Sequence, residues 1–73
     1  MKKKLTPHAG TGGPSINIDL ADVSIIEENG DRNSKGGFVE AQITLRAGKE
    51  LKIGLSFEDM DSLIIDWEDK PVV

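Results

Sequence analysis

From Val39 to Leu55, apolar and polar residues alternate strictly on either side of one short turn at residues 47–50. Side chains in a β-strand point alternately to the two faces of a sheet, so this alternation puts all the apolar residues on one face. Those apolar residues are Val39, Ala41, Ile43, Leu45, Leu51, Ile53 and Leu55. The pattern predicts an antiparallel hairpin with one buried and one solvated face.

At Ser56 the spacing of the apolar residues changes to that of an α-helix. Ser56 is a favourable N-cap, and Asp59 places a carboxylate in the first turn. The helix is expected to end near Asp69, since Pro71 disfavours helical backbone in the residue before it. Residues 63–67 are also β-branched and aromatic enough to form a short strand, although the helix is the preferred interpretation. The apolar stripe of the predicted helix is Phe57, Met60, Leu63, Ile64 and Trp67.

The segment before the hairpin also alternates, but its phase changes once, between Leu20 and Ala21. A shift of one residue turns every side chain to the other face. The segment therefore forms either two short strands joined near residues 21–22 or one strand broken by a β-bulge. The glycines and asparagines of residues 29–37 predict a long turn. The sheet residues expected in the core are Val23, Ile25, Val39, Ala41, Ile43, Leu45, Leu51, Ile53 and Leu55, whereas Ile26 and Phe38 are expected on the outer sheet face.

Together these segments predict an α+β domain. Its expected architecture is a three- to four-stranded antiparallel meander with one C-terminal amphipathic helix packed on the apolar face of the sheet. Residues 1–14 contain three lysines, three glycines and two prolines but no periodic apolar set, so they are expected to form a flexible basic arm. The single small domain is expected to occupy residues 15–73. A chain of 73 residues has no room for a second domain.

The residue content argues against catalysis. The chain has no cysteine, and its one histidine, His8, lies in the predicted arm, where nothing would hold a general base in position. The glycine-rich residues 10–15 lack the lysine and the flanking strand and helix of a phosphate-binding loop. The turn from Asp31 resembles a calcium loop at some positions, but Lys35 stands where an oxygen ligand is required. We therefore expect the protein to have no enzymatic activity, no cofactor and no metal site.

The charge is unevenly distributed. The formal net charge is −4, with three lysines near the beginning and six of the thirteen acidic residues after residue 56. No apolar run approaches the roughly 20 residues of a membrane span, and no apolar stretch follows Lys2, Lys3 and Lys4 as it would in a signal peptide. We therefore expect a soluble cytoplasmic protein without a membrane partner.

The preferred function is binding of another protein, as an inhibitor, adaptor or regulator. On the predicted helix, Ile65 falls on the polar side, away from the apolar stripe. An apolar residue surrounded by carboxylates has the features of a binding hot spot for a partner with a basic surface. The ordinary alternative is an isolated exposed isoleucine without a role. The candidate protein-binding residues are Glu58, Asp61, Ile65, Asp66 and Asp69.

Two further functions compete with this one. A nucleic-acid accessory protein would use the basic arm and the hairpin ends, but the acidic end repels phosphates and no exposed aromatic pair is available for stacking. An assembly subunit would dock its N-terminal arm on a neighbouring molecule, and a homodimer through the outer sheet face is a related expectation. The candidate nucleic-acid residues are Lys2, Lys3, Lys4, Arg46, Lys49 and Lys52.

Overall fold

A computed structural model describes residues 2–33 and 36–69 of the chain. It contains five strands, a short 3₁₀ turn and one helix. The strands form two separate antiparallel sheets, one of two strands and one of three. In chain order the elements are β1 (Lys2–Leu5), β2 (Ile16–Asp19), the 3₁₀ turn (Leu20–Asp22), β3 (Val23–Asn29), β4 (Phe38–Leu45), β5 (Glu50–Ser56) and α1 (Phe57–Glu68).

The three-stranded meander has the order β3-β4-β5, and α1 packs across its apolar face. This arrangement confirms the predicted α+β class, the meander and the packed C-terminal helix. Ser56 is the N-cap, and its hydroxyl accepts a hydrogen bond from the backbone N–H of Asp59 at 3.1 Å. Residues 63–67 are helical, so the alternative strand is wrong there. No helix in the described part of the chain is long and apolar enough to cross a membrane.

The hydrophobic core lies between the meander and α1 and is closed by the β1–β2 hairpin. Leu20, Ala41, Ile43, Leu55, Met60 and Leu63 are completely buried. Leu45, Leu51, Phe57, Ile64 and Trp67 are partly buried and pack against this core. The buried residues that complete it are Leu5, Ile18, Val23, Val39 and Ile53.

The predicted boundary at residue 15 is wrong for the first strand. Residues 2–5 pair with residues 16–19, from Lys2 opposite Asp19 to Leu5 opposite Ile16. Leu5 is only 2% exposed and belongs to the core. The sequence pattern does not predict this strand. Its one buried apolar residue follows three lysines, and its partner strand lies beyond a ten-residue connection, residues 6–15.

The predicted side of Ile25 is also wrong, and so is that of Ile26. The pairing of β3 with β4 shifts between Val23 and Ile25, which marks a β-bulge. Ile25 is therefore 48% exposed on the outer sheet face, whereas Ile26 lies opposite Ile43 and packs against the core. The earlier phase change near residues 21–22 corresponds to the 3₁₀ turn between two separate strands, the first of the two alternatives.

The connection between β1 and β2 crosses the edge of β5. The backbone N–H of His8 donates to the carbonyl oxygen of Gly54 at 2.9 Å, and Thr11 packs directly over Gly54. The His8 ring stacks on Phe38 with 5.2 Å between the ring centroids. Phe38 is thus on the outer sheet face, as predicted, but it is partly covered by this connection. In the described part of the chain, the exposed large apolar side chain on that face is Ile25.

Candidate functional site

Ile65 lies on the solvent side of α1, where the helical periodicity predicted it. Its side chain is 62% exposed, although Leu63, two residues earlier, is completely buried. Side chains three and four residues apart are neighbours on a helix, so Asp61, Glu68 and Asp69 lie next to Ile65. Ile65, Glu68 and Asp69 line one shallow open depression. We call Glu58, Ile65, Glu68 and Asp69 the Ile65 surface.

Asp61 borders the Ile65 surface but is tied to Arg32. The Arg32 guanidinium donates two hydrogen bonds to Glu28, at 2.7 and 2.8 Å, and a 2.6 Å bond to Asp61. It also lies over the Phe57 ring at 5.5 Å. These hydrogen bonds hold the pKa of both carboxyl groups below their ordinary values, and they raise the pKa of Arg32. The Arg32 clasp therefore joins the end of β3 and the following turn to α1.

Asp66 borders the surface on its other side and is tied to β1. The Lys3 ammonium donates to the Asp66 carboxylate at 2.6 Å and to the Ser62 hydroxyl at 3.2 Å. The Lys3 side chain is 20% exposed and that of Asp66 is 39% exposed. Two of the predicted site residues, Asp61 and Asp66, thus form ion pairs within the chain, although Asp61 shares Arg32 with Glu28.

Three acidic side chains around Ile65 form no ion pair with any residue that the structure describes. Glu58, Glu68 and Asp69 are exposed, and none of them forms an ion pair with another residue in the described ranges. Glu68 is absent from the residues predicted as a site, although its position three residues after Ile65 was sufficient to identify it. The structure therefore retains Glu58, Ile65 and Asp69 on one accessible surface and adds Glu68.

The end of α1 carries negative charge where a helix disfavours it. The carbonyl groups of the last turn give the C-terminus of a helix a partial negative charge, which favours cations there. The last turn of α1 contains no basic residue. Glu68 is the last helical residue, and Asp69 is the C-cap, whose backbone N–H donates to the carbonyl oxygen of Ile65 at 2.9 Å. Among the described residues, this end of the helix therefore places two carboxylates beside the partial negative charge of the helix C-terminus.

The six basic residues proposed for nucleic-acid binding fall into two separate groups, one on β1 and one on β5 and the connection before it. Lys2, Lys3 and Lys4 belong to β1, where Lys2 faces Asp19 across the hairpin and Lys3 is held by Asp66. Arg46 and Lys49 are exposed in the connection between β4 and β5, and Lys52 is exposed on β5. The three lysines of β1 form part of a strand paired within the chain rather than a separate arm.

The described residues contain no group of three or more histidine, aspartate or glutamate side chains arranged to hold a metal ion. His8 is stacked on Phe38, and its Nδ1 accepts a hydrogen bond from the backbone N–H of Gly10 at 3.0 Å. Its ring therefore fixes the turn over β5. Comparisons with protein-family models, with curated proteins and with solved structures find no match to this chain.

Proposed function

We propose that this protein is a small non-enzymatic binding module that attaches to a basic surface on another protein through the Ile65 surface. The observation that carries this proposal is the 62% exposure of Ile65 on a helix whose other apolar side chains are buried or partly buried. A single exposed isoleucine has no consequence for folding. Its position among uncompensated carboxylates gives it the arrangement of an apolar anchor within a polar rim.

The negative charge at the end of α1 supports the same function. Glu68 and Asp69 repel the partial negative charge of the helix C-terminus, so they oppose folding of the isolated chain. Lysine or arginine side chains of a partner would relieve this repulsion on binding. Residues that weaken folding but improve recognition are typical of functional surfaces.

The charge arrangement also defines the partner. A partner with a small apolar depression surrounded by lysine or arginine side chains would accept Ile65 and pair with Glu58, Glu68 and Asp69. Nucleic acid is disfavoured because its phosphates carry the same sign of charge. The module would mask such a basic site, as an inhibitor or regulator does, or connect it to a second molecule, as an adaptor does.

The apolar anchor is tested with a pair of isoleucine variants. Among residues 2–33 and 36–69, the two exposed large hydrophobic residues are Ile65 on the helix and Ile25 on the outer sheet face. The wild-type protein, Ile65→Ala and Ile25→Ala serve as immobilised baits for an extract of the source organism. The partner should be retained by the wild type and by Ile25→Ala, and its affinity for Ile65→Ala should fall by about 2 kcal/mol or more. Equal retention on all three baits would contradict the proposal.

The charges are tested separately with Glu68→Gln and Asp69→Asn. Both variants should raise the melting temperature, because removing an unfavourable charge at a helix end contributes about 0.3–1 kcal/mol. The same variants should slow association with the captured partner and reduce its dependence on salt. Higher stability with unchanged association would show that these carboxylates do not face the partner.

A further inference from the structure

Strand β3 ends at an asparagine, Asn29, and the turn that follows begins with Gly30; both residues are exposed. In such a pair the glycine nitrogen attacks the asparagine side chain with little steric hindrance, because glycine has no Cβ. Gly30 adopts a φ of 115°, a conformation that other residues avoid. The backbone of this turn therefore favours glycine at position 30, and the reactive pair is built into the hairpin.

The side chain of Asn29 is restrained by the neighbouring strand. Its Nδ2 donates a hydrogen bond to Oε1 of Gln42 at 3.0 Å. Cyclisation requires the side-chain amide to rotate so that Cγ approaches the backbone nitrogen of Gly30, and this rotation breaks the bond to Gln42. We propose that Asn29 is a site of spontaneous deamidation whose rate is limited by its hydrogen bond to Gln42.

The chemistry needs only water. The nitrogen of Gly30 forms a bond with Cγ of Asn29 while the bond from Cγ to Nδ2 breaks, and the amide proton of Gly30 leaves with the ammonia. Water then adds to either carbonyl group of the resulting five-membered imide. Ring opening gives aspartate or isoaspartate at position 29.

Both products would disturb the end of β3. Asn29 lies opposite Glu40, so a new carboxylate at position 29 faces one of the same charge across the strand pair. Isoaspartate also lengthens the backbone by one methylene group, which displaces the turn that carries Arg32. The Arg32 clasp to Asp61 should therefore loosen in the isoaspartate form.

The experiment incubates the full-length wild-type protein in mildly alkaline buffer and follows each asparagine by peptide mapping with mass spectrometry. Asn17, which precedes Ile18 in β2, and Asn33, which precedes Ser34, are internal controls. Asn29 should be modified first. Modification of Asn33 or Asn17 before Asn29 would overturn the assignment of the site.

The limiting role of the hydrogen bond is tested with Gln42→Ala and Gln42→Glu. Gln42→Ala removes the acceptor and should accelerate modification roughly two- to tenfold, the range that loss of one hydrogen bond gives. Gln42→Glu keeps an acceptor oxygen and should react at nearly the wild-type rate. Equal rates for Gln42→Ala and the wild type would overturn this role of Gln42. Hydrogen exchange of the separated isoaspartate form should show reduced protection in residues 26–32, and unchanged protection would contradict the loosened clasp.

Discussion

Thr11 occupies the space in which a side chain at Gly54 would lie. A Cβ atom at position 54 would clash with the Thr11 Cγ2 and come within 2.9 Å of the Thr11 Cβ, closer than a real Cβ atom approaches another side chain. Thr11 is held there by a 2.8 Å hydrogen bond from its hydroxyl to the carbonyl oxygen of His8. The missing side chain of Gly54 thus allows the connection between β1 and β2 to lie against β5.

Gly54→Ala should therefore destabilise the protein by about 1–3 kcal/mol, the usual range for overpacking. Chemical denaturation measures this difference. Thr11→Gly removes the opposing side chain, so Gly54→Ala should be much less destabilising when combined with Thr11→Gly than in the wild-type background. Independent, additive effects of the two substitutions would show that Thr11 does not rest on Gly54.

Leu5→Ala should destabilise the protein by about 2–5 kcal/mol, because it leaves a cavity where a buried leucine packs. Thermal or urea denaturation provides the measurement. Lys4→Ala is the matched control, since Lys4 is the preceding residue of the same strand and is exposed. Its effect should stay within about 0.5 kcal/mol. A similarly small effect of Leu5→Ala would mean that β1 does not contribute to the core in solution.

Ile25→Ala and Ile26→Ala form a matched pair, because Ile25 lies on the outer face of β3 and Ile26 lies on its core face. Ile25 is 48% exposed, so its truncation should change stability by only about 0.5 kcal/mol. Ile26 packs against the core, so Ile26→Ala should lower the free energy of unfolding by about 1–2 kcal/mol, less than truncation of a fully buried isoleucine. Urea denaturation of both variants distinguishes them. A larger loss of stability for Ile25→Ala than for Ile26→Ala would place the β-bulge elsewhere in β3.

Arg32→Gln should lower the melting temperature at neutral pH and have little effect in acid. Arg32 lowers the pKa of Glu28 and Asp61 in the folded protein, so these contacts stabilise the fold above the ordinary carboxyl range. That contribution is lost as the pH falls below about 4 and the two groups become protonated. Melting curves of both proteins between neutral and acidic pH measure the difference.

Lys49→Gln is the control for Arg32→Gln, because Lys49 is an exposed cation in the connection before β5. It removes the same formal charge without touching Glu28 or Asp61. Its melting temperature should follow that of the wild type over the whole pH range. Parallel behaviour of Lys49→Gln and Arg32→Gln would attribute the effect to net charge rather than to the Arg32 clasp.

Local patterns were sufficient for the meander and the helix. The alternation from Val39 to Leu55 and the change of period at Ser56 depend on neighbouring residues alone, and both elements were predicted correctly. The side of Ile26 depends instead on where β3 shifts its pairing with β4. No residue type between Val23 and Ile25 marks that shift, so the sequence could not assign the two isoleucines.

The candidate site likewise has one part that local sequence predicts and one part that depends on distant residues. The exposure of Ile65 follows from helical periodicity, and the structure agrees with it. The partners of Asp61 and Asp66 are Arg32 and Lys3, which are 29 and 63 positions away in the chain. Contacts between such distant residues leave no local pattern, so the sequence could not show that two of the proposed binding residues are engaged within the fold.

The contact between Lys3 and Asp66 joins the first and the last of the described elements to be synthesised. Strand β1 is synthesised before every other element described here, yet the helix that holds Lys3 is the last of them. The core cluster that buries Leu5 is complete only when α1 has been synthesised. Charged residues on an unpaired strand oppose its association with other chains. The lysines beside Leu5 would therefore protect the nascent strand from aggregation. In the folded protein one of them, Lys3, then pairs with Asp66 of α1.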